Sequence, residues 1–227
     1  MAGALALLAA ACSQAGQQPA PPQPAAQSEP APAEISEVAK DAPVVVFLGD
    51  SLTAGYGLEP ADALPEQVQQ VWKAAGIDAV AVNAGVSGDT TANGLARFDW
   101  SVLSAEPDLL VIALGSNDYL MGVPADVARS NLSDILTRAR SAGIPAVLVG
   151  VAARGEVQPG SREAEYAAIY PELAAEFGVP LYPSLLGEIE GEPALLQSDG
   201  LHPTREGVER IAAPLADFLA PLVTPAD

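Results

Sequence analysis

Pro43-Val44-Val45-Val46-Phe47-Leu48-Gly49-Asp50-Ser51-Leu52 is the stretch that settles the fold class. Five apolar residues, four of them strong β-formers, run without a polar interruption between Pro43 and Gly49. A strand with one wet face would alternate apolar and polar residues. A continuous run is a strand buried on both faces, as in parallel sheets covered by helices.

The same grammar repeats outward from this strand. Residues 64–75 carry Leu64, Val68, Val71 and Trp72 at helical spacing. Ala79–Val82 reads as a second strand, and a helix is expected from about Thr91 to Ser104. Asp108–Leu114 is a third strand. Pro124 opens a long helix to about Ser141, and Gly143 ends it. Pro145–Val151 is a fourth strand, residues 153–163 form a polar loop, and a helix follows from about Arg162 to Phe177. Val179–Tyr182 is a short fifth strand. The last helix starts near Thr204, with Val208, Ile211, Leu215 and Leu219 on one face. Strand and helix alternate throughout, which predicts an α/β fold with a parallel sheet between helical layers.

In such sheets the chemistry gathers beyond the carboxyl ends of the strands. Ser51 follows strand one, Gly88 follows strand two, Asn117 follows strand three and His202 follows strand five. His202 is the only histidine in the chain, so any chemistry that needs an imidazole near neutral pH falls to it. Ser51 is a candidate nucleophile, His202 its base and Asp199, three residues earlier, the acid that holds the imidazole. Rate should then rise with pH as the imidazole loses its proton. Candidate oxyanion donors are the backbone N–H groups of Ser51 and Gly88 and the side-chain amide of Asn117. Taken singly, each fragment has a blander reading. Ser51 could be a capping serine, Asp199 and His202 an exposed loop pair, and Gly88 and Asn117 ordinary turn residues.

The totals exclude other classes. The 227 residues carry 29 acids against 10 bases, a formal net charge of -19. Nucleic-acid binding needs a positive surface, and so does docking on anionic lipid. One histidine and one cysteine leave little from which to build a metal site, and no glycine-rich phosphate fingerprint follows any strand. No cofactor or metal is expected. The lone cysteine, Cys12, ends the apolar run Ala4–Ala11, which is too short to span a bilayer. Leu8-Ala9-Ala10-Ala11-Cys12 resembles a lipobox, in which the cysteine is acylated. It departs from that pattern in Ala9 and in the absence of a preceding Lys or Arg. A cleaved leader giving a soluble secreted protein, or a plain disordered tail, is the alternative. Residues 13–41, rich in Ala, Pro and Gln, read as a disordered tether. The expected organisation is a signal or lipobox-like segment at 1–12, the tether at 13–41 and a catalytic domain at 42–227. A monomer in the bacterial cell envelope is expected, periplasmic and touching the membrane only through a lipid on Cys12.

Together the fragments become specific. Gly49-Asp50-Ser51-Leu52, Gly88-Asp89-Thr90, Gly115-Ser116-Asn117-Asp118 and Asp199-Gly200-Leu201-His202-Pro203 resemble, in order and spacing, the SGNH (GDSL) hydrolase family. The likeness covers residues 43–222. Asp50–Gly57, Gly88–Thr91, Gly94-Leu95-Ala96-Arg97 and Ile169–Leu173 are similar to its bacterial periplasmic thioesterase/lysophospholipase group, also called arylesterases. The resemblance implies a flavodoxin-like three-layer sandwich with strand order 2-1-3-4-5. It implies Ser51, Asp199 and His202 as the triad, with Ser51, Gly88 and Asn117 as the oxyanion hole.

The resemblance has two departures. After Asn117-Asp118 the group usually carries Gly and then Leu-Arg-Gly, where this chain has Tyr119-Leu120-Met121-Gly122. A tyrosine there would narrow or re-aim the substrate groove. The group's Pro-Asn-Tyr-Gly segment is replaced within residues 152–163, with Gly155, Pro159 and Gly160 in a loop expected to wall the acyl site.

The implied substrate is a small acyl ester, thioester or lysophospholipid, cleaved through an acyl-enzyme. Leu52, Leu58, Tyr119, Leu120, Met121 and Val123 would line an apolar groove for it. Deacetylation of a cell-envelope carbohydrate is the rival reaction, and a catalytically silent binding lipoprotein is the rival class.

Overall fold

A computed structural model describes residues 42–151 and 157–224. The expected leader at 1–12 with Cys12, the tether at 13–41 and part of the 152–163 loop, Gly155 included, lie outside the described residues.

The described chain runs β1 (Val44–Gly49), α1 (Ser51–Ala54), α2 (Leu64–Ala74), β2 (Val80–Gly85), α3 (Thr91–Ala96), α4 (Phe98–Ser101), β3 (Leu109–Ala113), α5 (Ser116–Met121), α6 (Ala125–Ser141), β4 (Ala146–Val149), α7 (Arg162–Phe177), β5 (Leu181–Tyr182) and α8 (Arg205–Val223), with short 3-10 turns between. The strands form one parallel sheet in the order β2-β1-β3-β4-β5. This is the order the family resemblance implied.

Alternation along each strand divides the core in two. Val45 and Phe47 of β1, Leu109 and Val111 of β3, and Val147 and Val149 of β4 face one way. There they meet Val68 and Trp72 of α2 and Ile211, Leu215 and Leu219 of α8. Val46 and Leu48, Leu110 and Ile112, and Leu148 face the other way. Their partners are Leu132, Ile135 and Leu136 of α6 and Ile169 and Leu173 of α7. This is why the strand runs hold no polar residue. Leu215 is fully buried at the centre of the first layer. Leu215→Ala is expected to destabilise the protein by about 2–5 kcal/mol, read as a shift in the urea midpoint.

Three local departures matter for the site. The helix expected from Thr91 to Ser104 breaks at Arg97 into α3, α4 and a 3-10 turn. Gly94 brings α3 so close to Leu114 that a side chain there would collide with it, and Phe98 is buried on the next turn. Packing on two sides overrides the propensity for one straight helix. Ser51–Ala54 and Ser116–Met121, where the sequence reading set no helix, are short helices. No helix among the described residues is long and apolar enough to cross a membrane.

Candidate active site

β1 ends at Gly49, and Asp50 caps α1 by accepting the Leu52 N–H at 3.0 Å. Ser51 is therefore the first residue of a helix that starts where the sheet stops. Its backbone N–H has no hydrogen-bond partner among the described residues, as expected of a first-turn donor.

Asp50 is fully buried, and among the described residues its second carboxylate oxygen has no partner at hydrogen-bonding geometry, although the Ser116 hydroxyl is near enough to favour the ionised form. Burial pushes its carboxyl up to about 6, against the pull of the Leu52 N–H. The native state then holds a proton that the unfolded chain has released. Stability should fall as pH rises from the ordinary carboxylate pKa of 3.8 to about 6, and stay low above it. Asp50→Asn is expected to remove that loss and to gain on the order of 3 kcal/mol over the parent at pH 8. Urea unfolding at pH 4 and pH 8 measures the difference.

His202 reaches this helix from 151 residues away, with its Nε2 2.8 Å from the Ser51 hydroxyl oxygen. On the other side of the ring, Nδ1 lies 2.6 Å from Asp199 Oδ2. The second Asp199 oxygen accepts the backbone N–H groups of Leu201 (2.8 Å) and His202 (3.0 Å). These bonds, the imidazole first, hold the Asp199 carboxyl well below the usual carboxylate range. An ionised Asp199 can only accept, so Nδ1 carries the proton and donates it. In the neutral ring Nε2 is then free to accept the Ser51 O–H.

Two residues that sequence reasoning did not single out assemble this line. Gln197 donates its backbone N–H to the His202 carbonyl at 2.7 Å. Its side-chain Nε2 donates to the carbonyls of Tyr56 and Pro203, both at 2.8 Å. One amide thus ties the loop after α1 to the loop that carries the imidazole. Tyr56 itself lies against His202, ring centroids 4.5 Å apart. Gln197 carries no sequence signal and Tyr56 stands in the Asp50–Gly57 stretch without an assigned role, because the bond that joins the two spans 141 residues.

The oxyanion candidates lie along the same edge. Gly88 has φ +90°, a conformation that favours glycine, and a Cβ there would meet open space. Its N–H has no partner among the described residues. Asn117, in the first turn of α5, donates through Nδ2 to the Asp89 carbonyl at 2.9 Å. The buried Asp118 carboxylate accepts the Thr91 N–H (2.8 Å) and hydroxyl (2.6 Å), which locks α5 to the start of α3.

The groove residues divide. Leu52 and Leu58 are partly buried against the first core layer. Tyr119 turns its hydroxyl to Glu163 at 2.6 Å, and the Arg162 guanidinium stacks over its ring while donating to the Tyr119 carbonyl. The Tyr119 hydroxyl pulls the Glu163 carboxyl down to about 2. Leu120 and Met121 stand 59% and 64% exposed, unlike ordinary core residues of their type.

The described chain is a doubly covered parallel sheet with a hydroxyl, an imidazole and a carboxylate in line at its carboxyl edge, groups of the kind that hydrolases use. The family model for the GDSL-like lipase/acylhydrolase family matches residues 47–210, and the chain belongs to that family. It is an ester hydrolase by that membership. It is similar to thioesterase 1/protease 1/lysophospholipase L1 of Escherichia coli (strain K12), 36% identical over 80% of this chain and 86% of the relative. It is also similar to the arylesterase of Vibrio mimicus, 34% identical over 82% of this chain and 92% of that protein. Among solved structures, the crystal structure of TesA superposes with a TM-score of 0.74 at 31% identity, over 79% of this chain and 99% of that one.

Proposed function

We propose that this protein is a serine esterase that cleaves acyl esters or thioesters of the arylesterase, lysophospholipase or acyl-thioesterase type through an acyl-enzyme. The observation that carries the reading is the unbroken line from Ser51 Oγ through both His202 nitrogens to Asp199. Ser51 attacks the acyl carbon while its proton passes to His202 Nε2, and Asp199 stabilises the imidazolium. The N–H groups of Ser51 and Gly88 and the second N–H of Asn117 Nδ2 bind the developing oxyanion. His202 returns the proton to the leaving group. Water, deprotonated in its turn by His202, then releases the acid and frees the serine.

Leu52, Tyr119, Leu120 and Met121 supply the apolar side of the acyl groove. The exposure of Leu120 and Met121 supports this, since neither is needed by the core. The names borne by the relatives, a thioesterase/lysophospholipase and an arylesterase, support an acyl-chain substrate over a sugar acetate.

Incubation with a fluorophosphonate tests the mechanism. A single adduct on the Ser51 peptide, formed as activity disappears, is expected in mass spectra. An enzyme that turns over without labelling at Ser51 overturns the reading. For the substrate, p-nitrophenyl esters from acetate to laurate are compared with lysophosphatidylcholine and acetylated xylan. A preference for the xylan would replace the acyl-chain assignment.

We place the protein in the cell envelope as a monomeric domain, residues 42–227, held by a lipid on Cys12 and the 13–41 tether. The lipobox-like Leu8–Cys12 supports this. A mature N-terminus upstream of an unmodified Cys12, read by mass spectrometry, refutes it.

A further inference from the structure

Arg97 sits where the helix expected over residues 91–104 breaks, and its side chain turns back toward the sheet edge. Its Nε donates to Asp89 Oδ2 at 2.6 Å, and its Nη2 donates to the Gly49 carbonyl at 3.0 Å. The pair is largely withdrawn from solvent, with side chains 15% and 12% exposed. At that burial, removing one partner leaves a charge without compensation, unlike a surface ion pair.

The partners of Arg97 are what give it meaning. Gly49 lies two residues before Ser51, and its carbonyl also accepts the Val86 N–H at 3.1 Å. Asp89 directly follows Gly88, its N–H closes a turn onto the Val86 carbonyl at 3.1 Å, and its own carbonyl receives Asn117 Nδ2. One guanidinium therefore joins three separate segments: the end of β1, the loop after β2 and, through Asp89, the first turn of α5. Each carries one candidate oxyanion donor. A carboxylate beside Gly88 would also oppose negative charge growing on a bound carbonyl oxygen, and the guanidinium offsets it.

We infer that Arg97 is a positioning residue for the oxyanion hole, holding the donors of Ser51, Gly88 and Asn117 in one register through Asp89 and Gly49. This rests on the triad and oxyanion reading above. Arg97 touches no substrate; it acts through the groups that do, so its loss should lower kcat and leave KM nearly unchanged.

The test is a double-mutant cycle on the full chain with p-nitrophenyl acetate, using Arg97→Met, Asn117→Ala and both together. Arg97→Met is expected to cut kcat by about 100-fold or more, the order of losing one oxyanion donor, with KM within about threefold. In the Asn117→Ala background the same change should cost less than about tenfold, because part of what Arg97 positions is already gone. Arg97→Lys, which keeps the charge opposite Asp89, should recover part of kcat. An equal loss in both backgrounds, or an Arg97→Met kcat within about threefold of the parent, overturns the inference.

Circular dichroism establishes that each variant is folded. If Arg97→Met is not, Arg97→Lys and Asp89→Asn carry the same cycle. Ser51→Ala separates the two layers of the argument. An active Ser51→Ala sinks the mechanism itself, whereas an inert Ser51→Ala beside a parent-like Arg97→Met sinks only the role of Arg97.

Discussion

Ser51→Ala is expected to lower kcat by about a millionfold, the cost of losing a nucleophile that works as a unit with its base. The same change should move stability by no more than about 0.5 kcal/mol. Among the described residues the hydroxyl makes one hydrogen bond, to His202 Nε2, and it lies at a part-exposed helix start where alanine is well tolerated. Activity and stability are thus separable at this position. Burst and steady-state release of p-nitrophenol measures the first, and a urea melt measures the second. A Ser51→Ala protein that cleaves p-nitrophenyl acetate at the parent rate ends the serine mechanism.

Asp199→Asn is the second large effect, about 10⁴-fold in kcat. The substitution preserves shape. The asparagine carbonyl can still accept the Leu201 and His202 N–H groups that now bond Asp199 Oδ1. What changes is the sign of the contact with the ring. An amide N–H in place of Oδ2 donates to Nδ1, so the ring proton moves to Nε2. An Nε2 that bears a proton cannot accept one from Ser51. The loss should fall on kcat, and KM for short esters should hardly move. Because its bonds keep Asp199 ionised well below the usual carboxylate range, the parent should show no loss from Asp199 protonation at pH values where imidazole is neutral. A variant within about tenfold of the parent would show that the tautomer does not limit the rate.

Much of the architecture is legible along the chain. Val44–Leu48 and Leu109–Leu114 announce strands buried on both faces, because any polar residue there would be stranded in one core layer or the other. The helix bounded by Pro124 and Gly143 follows from backbone chemistry alone, and it ends as expected, with Gly143 at φ +74°. The break at Arg97 was not legible. Local propensity favours one helix over residues 91–104, and the forces that divide it, the approach of Gly94 to Leu114 and the pull of Arg97 toward Gly49, come from other strands. Tyr119 could be marked as unusual, but its hydrogen bond to Glu163 spans 44 residues and has no local trace.

By itself the sequence determined which groups were available: one imidazole, a serine and an acid, each placed beyond the end of a strand. Strand periodicity is a local property, and counting histidines requires no coordinates. Only the tertiary structure decided that the imidazole stands 2.8 Å from the hydroxyl, that Gln197 ties the two loops together, and that Arg97 joins the segments carrying the oxyanion donors. Contacts of that kind depend on how strands pair and helices dock across separations of up to 151 residues, and short-range preferences of the backbone carry no record of them.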